Sequence, residues 1–186
     1  MNFNLIAPVN IGELNEIKIN KLQEKFSKRF KNGIVNPGQL IMMSQNSQVI
    51  LQSNQIQYVF TDEEVDSVEK TLKDIQELLL LNERFDSMVL VISELRECGK
   101  STMELSKVKF KNLLKDSIGV GIREFFSYNN SLCEIKVEPC ISDDQMWYQE
   151  VQYNMKSVDI SSIKNVIESV KDDYTIKCKE IYENIN

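Results

Sequence analysis

The chain has 186 residues, 42% apolar and 27% charged, with a net charge of −6 and a pI near 4.9. That composition fits a soluble globular protein, built as one domain or as two small halves sharing a core. It excludes a membrane helix, because no apolar run approaches the ~18 residues one needs, and an acidic chain is repelled by phosphate backbones unless it has a local basic patch.

Histidine is absent. Its absence removes the usual general base near neutral pH, the histidine-dependent triads and the commonest metal ligand. The four cysteines, Cys98, Cys133, Cys140 and Cys178, match no zinc spacing. They read as reduced, partly buried thiols, although Cys133 and Cys140 flank one strand end and a bridge between them is conceivable on spacing. No secretory signal opens the chain, so a cytoplasmic protein of a bacterium, or of a virus of one, is expected.

In chain order, Phe3–Val9 reads as a strand. A helix is predicted from Asn15 to Lys31, where Ile19, Leu22, Phe26 and Phe30 recur at spacings of three and four and Asn32-Gly33 supplies a C-terminal cap. Lys18, Lys21, Lys25 and Lys28 form a neighbouring basic stripe, extended by Arg29 and Lys31. Asn36-Pro37-Gly38 is a turn. Strands follow at Gln39–Ser44, Gln48–Gln52 and Gln55–Phe60. Thr61 and Glu64 form a capping box, opening a helix to about Asn82 on the stripe Val65, Val68, Leu72, Ile75 and Leu79.

The second half opens on the apolar run Met88–Ile92, of the kind buried on both faces. Ser101 and Glu104 form another capping box, with a helix to about Asp116 carrying Leu105, Val108, Phe110, Leu113 and Leu114. Three strands come next: Val120–Tyr128, Leu132–Glu138 and Met146–Met155, with turns at Asn129-Asn130 and Ser142–Gln145. Cys133, Ile135 and Val137 alternate with Glu134, Lys136 and Glu138, and Trp147, Val151, Tyr153 and Met155 share a side broken only by Gln149. Such alternation means one buried face and one wet face, as in antiparallel sheets. Asp159 caps a final helix along Ile163, Val166, Ile167, Val170, Tyr174, Cys178, Ile181 and Ile185.

Both halves, 1–85 and 86–186, thus read β-α-β-β-β-α, which suggests an internal duplication within one compact domain. The expected fold is α+β and two-layered: a mainly antiparallel sheet covered on one face by four helices. In element order alone, this layout resembles the paired repeat of the TATA-box-binding protein family, whose curved sheet carries helices on one side. None of that family's motif residues is present, the acidic charge is opposite to what a DNA saddle needs, and the resemblance implies fold only.

Candidate chemistry is sparse. Gly99-Lys100-Ser101-Thr102 has the ending of a phosphate-binding loop between strand and helix, but Glu94 stands where a glycine is required. The basic stripe is a candidate anion or partner surface. Tyr148 and Tyr128, among the aromatics of the last three strands, are candidate partner anchors. No catalytic residue, metal site or cofactor is expected, nor binding to nucleic acid or membrane. The leading functional expectation is a non-enzymatic interaction module using a sheet face or edge, with a protein or a second copy as partner. The alternatives are a small-ligand binder with a cavity between helices and sheet and, behind it, a nucleotide or phosphate enzyme using Lys100.

Overall fold

A computed structural model of the chain describes residues 1–110 and 114–185. Among the described residues, nine strands form one antiparallel-paired sheet in the order β2-β3-β4-β5-β1-β6-β9-β8-β7, accompanied by four helices. The α+β class expected from the sequence is the one found. The chain divides into two compact units: Met1–Leu90 with Asn154–Glu168, and Val91–Tyr153 with the chain from Ser169 onward.

In the first unit, β1 (Asn2–Pro8), β2 (Asn32–Asn36), β3 (Gln39–Met43), β4 (Ser47–Gln52) and β5 (Gln55–Thr61) pair with unbroken register. Their inward residues, Phe3, Leu5, Leu40, Val49, Leu51, Ile56, Tyr58 and Phe60, are almost completely buried. Against them lie Leu22 and Phe26 of α1 (Glu16–Phe26) and Val68, Leu72 and Ile75 of α2 (Val65–Leu79). Each such side chain stabilises the fold by about 1.5–3 kcal/mol.

Several local expectations fail here for identifiable reasons. α1 stops at Phe26 rather than Lys31, and the chain leaves the helix so that Phe30 buries separately while Arg29 turns inward. The residues read as a helix cap, Asn32-Gly33, begin β2 instead, so four strands follow α1 where three were expected. The Pro37-Gly38 turn stands, with Gly38 at φ +74° as its left-handed residue. The Thr61–Glu64 capping box does not form: a 3-10 turn spans Asp62–Glu64, Thr61 makes no side-chain cap, and Glu64 bonds Arg29. A tertiary partner outcompetes the local one.

In the second unit, β8 (Ser131–Pro139) and β9 (Met146–Asp159) are longer than the expected strands, and β7 (Ile122–Tyr128) begins two residues later than Val120. The β7–β8 turn places Asn129 and Asn130 at φ +48° and +60°, the left-handed pair of a two-residue hairpin. β6 (Arg84–Glu97) is longer than Met88–Ile92 and not buried on both faces, since Met88, Leu90 and Ile92 are sealed while Val89 and Val91 are half-buried.

α3 (Thr102–Lys109) is capped by Ser101 as expected, but ends early. Its buried positions are Thr102 and Ser106, with Val108 and Leu114 exposed; Leu113, also assigned to that stripe, lies outside the described residues. α4 (Ile163–Ile185) buries Ile163, Ile167, Val170, Tyr174, Cys178 and Ile185 of its expected stripe and leaves Val166 and Ile181 half-buried, and Asp159 does not cap it. The four cysteines are in the reduced thiol form.

Candidate functional site

Not one residue of β1 to β5 is charged, in a chain where 27% of residues are. The register fixes what their solvent side presents. One row runs Ile34, Ile41, Ile50, Gln57, Ile6 across β2, β3, β4, β5 and β1. To one side lies the row Asn36, Gln39, Gln52, Gln55, Pro8, and to the other Asn32, Met43, Gln48, Val59, Asn4. Gln57 donates to Asn4 at 3.0 Å. The outcome is an aliphatic stripe bordered by amides. Amides both donate and accept, so such a face is self-complementary in a way that charged residues are not.

The solvent side of the second unit's strands is the opposite. Arg123 pairs with Glu134 at 3.1 Å, and Lys136 lies 3.6 Å from Glu150 and 3.9 Å from Glu138. Tyr148, a predicted anchor, is enclosed in this ionic lattice: its hydroxyl donates to Glu150 and Lys136 sits 5.0 Å from its ring centre. Burial first, and then Glu150, pushes its phenol up to about 12. Tyr128 faces the helix side, edge-on to Tyr153 at 5.3 Å, with its hydroxyl 2.9 Å from Ser169. The two tyrosines therefore lie on opposite sides of the strands and form no common patch.

The lysine stripe is also divided. Lys18 donates to the Ile11 carbonyl at 2.9 Å, and Lys25 pairs with Asp74 at 2.9 Å, which raises its own pKa. Lys21 and Lys28 are exposed, and Lys28 falls beyond the end of α1. Arg29, read as an extension of the stripe, is instead a structural hub. Its guanidinium donates to Tyr58 (2.6 Å), Glu64 (2.7 Å), the Ser67 carbonyl (3.0 Å) and the hydroxyls of Ser67 and Thr71. Nothing in the sequence distinguished it from its neighbours.

Two further groups were underestimated. Gln149 is completely buried beside Val137 on the helix side, and among the described residues neither end of its amide has a hydrogen-bond partner; nor does Trp147 Nε1. At the phosphate-loop-like segment, the start of α3 is already occupied: Ser101 donates to the Asp144 carboxylate at 2.9 Å, and Thr102 binds the Asp144 carbonyl. An acidic residue at that helix start disfavours a phosphate there.

No cluster of metal-ligating side chains occurs among the described residues, and no described helix is long and apolar enough to cross a membrane. No protein-family model matches the chain, and no curated protein is similar to it in sequence.

Proposed function

We propose that this chain is a non-enzymatic protein-interaction module, associating through the uncharged sheet of its first unit, and that a second copy of the chain is the partner best matched to it. The observation that carries this reading is the absence of charge from all five strands, β1 to β5. A chain of net charge −6 repels its own copies, so copies meet most readily where no charge is presented. The isoleucine row supplies apolar area, and the flanking amides supply hydrogen bonds that a symmetric partner returns.

The test is sedimentation of the wild-type chain and of Ile34→Glu over a range of concentrations. Association with rising concentration in the wild type is expected, weakened at least about 100-fold by one unpaired carboxylate placed on each copy. A wild-type chain that stays monomeric to its solubility limit contradicts the reading.

A second reading, a small-ligand binder, draws support from the unpartnered Gln149 and Trp147. It calls for a rise in melting temperature with small neutral amides at millimolar concentration, and no shift retires it.

A further inference from the structure

Among the described residues, β2 terminates the sheet and pairs only with β3, through five consecutive residue pairs with no bulge. Sheet edges are ordinarily blocked by lysine, proline, bulges or covering elements. The opposite edge strand, β7, carries Arg123 and Glu124. β2 carries none of these devices: Asn32-Gly33-Ile34-Val35-Asn36 is uncharged, and all five residues are exposed. Its two sides are both open. Ile34, 46% exposed, continues the solvent-side isoleucine row, while Val35, 50% exposed, points to the helix side, where its partner Leu40 is already sealed.

Beside Val35 on that same side is Gly33, opposite Met42. A cleft of about 210 Å³ opens there, lined by Phe26, Phe30, Met42, Gln23 and Lys31, with the Gln23 amide close over Gly33, 3.3 Å from where a β-carbon would stand. Phe26, Phe30 and Met42 make part of its lining apolar, and it lies next to an unpaired strand edge. An incoming strand gains main-chain hydrogen bonds from the edge and side-chain specificity from such a cleft.

We propose that a second copy of this chain docks edge to edge on β2, strand against strand in antiparallel register, with Val35 of each copy seated against Gly33 of the other. The segment's own symmetry supports this occupant. When the two-fold axis passes through Ile34, Ile34 faces Ile34, and Val35 faces Gly33 twice over. Directly opposed residues point to the same side of an antiparallel pair. The isoleucine row therefore runs on from one copy into the next, and each valine reaches the other's cleft. No like charges are opposed at any position. This deepens the self-association reading and rests on it, by naming the edge rather than the face as the contact.

The experiment uses the full chain and two comparisons. In sedimentation, Val35→Lys is expected to weaken association by roughly tenfold or more, since a lysine on the edge enters a desolvated apolar cleft, while Ile50→Glu, mid-face on β4, leaves it within about threefold of wild type. Under mild oxidation, Ile34→Cys is expected to form a disulfide-linked dimer, because opposed β-carbons approach bridging distance. Val35→Cys, opposed to glycine, is expected to show no dimer above the wild-type background. If Ile50→Glu dissociates the protein and Val35→Lys does not, the face is the contact and the edge proposal fails while self-association stands. Cross-linking by Val35→Cys as readily as by Ile34→Cys overturns the register. A wild-type monomer at every concentration overturns both readings.

Discussion

In the first unit, the solvent side of the strands presents amides and isoleucines, while the charge of Arg29 is taken up on the helix side by Tyr58, Glu64, Ser67 and Thr71. In the second unit, the solvent side is laced by Arg123, Glu134, Lys136 and Glu150, while the helix side holds a Gln149 amide with no partner among the described residues. The two units thus place their polar groups in opposite ways. Ionic pairs on an exposed face stabilise little but discourage contact with an apolar surface. A neutral face does the reverse, and its stability has to come from inside. Arg29, which ties the end of α1 to α2 and β5, is the clearest internal source.

The contrast is broken most forcefully at Arg29. Arg29→Met leaves Glu64, itself only 25% exposed, without its cation, and removes the guanidinium bonds to Tyr58 and Thr71. A loss of about 3 kcal/mol in unfolding free energy is expected by denaturant titration, and a loss under about 0.5 kcal/mol would make the hub ornamental.

Gln149→Leu has the opposite sign. Replacing an unpartnered buried amide with an apolar side chain of similar volume is expected to stabilise by about 1 kcal/mol. Destabilisation would mean that Gln149 is bonded after all, to a ligand or to water. Tyr148→Phe sharpens the comparison through pH. The Tyr148 phenol titrates at about 12 in the folded chain, against about 10 unfolded. The folded state therefore keeps this proton longer, and the stability it contributes is fully present below about pH 10 and is lost as pH rises towards 12. The variant is expected to decline less steeply across that window in pH-dependent unfolding. Arg123→Ala should change stability by about 0.5 kcal/mol or less, because the Arg123 side chain paired with Glu134 is 59% exposed.

Strands with period-two alternation were legible residue by residue. β8 buries Cys133, Ile135 and Val137 as read, and Asn129-Asn130 makes the turn its residue types dictate. β2 was not legible, because a five-residue strand exposed on both sides has no alternation to show, and Asn32-Gly33 is equally good cap chemistry. α1 was overextended because Phe30 keeps the helical spacing although it buries from outside the helix. The role of Arg29 depends on Tyr58, Glu64 and Thr71 meeting in space, which no local pattern encodes. The uncharged strands, by contrast, stood in the sequence from the start. They became a surface only when the register aligned Ile6, Ile41, Ile50 and Ile34 in one row.

The most direct test of this account is the salt dependence of self-association, measured as weight-average mass at fixed concentration from about 0.05 to about 0.5 M salt. A contact made by the uncharged strands should hold its mass or gain slightly, as salt screens the repulsion between two acidic copies. Dissociation with rising salt would assign the contact to charged groups such as Lys21 and Lys28, and would contradict the central claim.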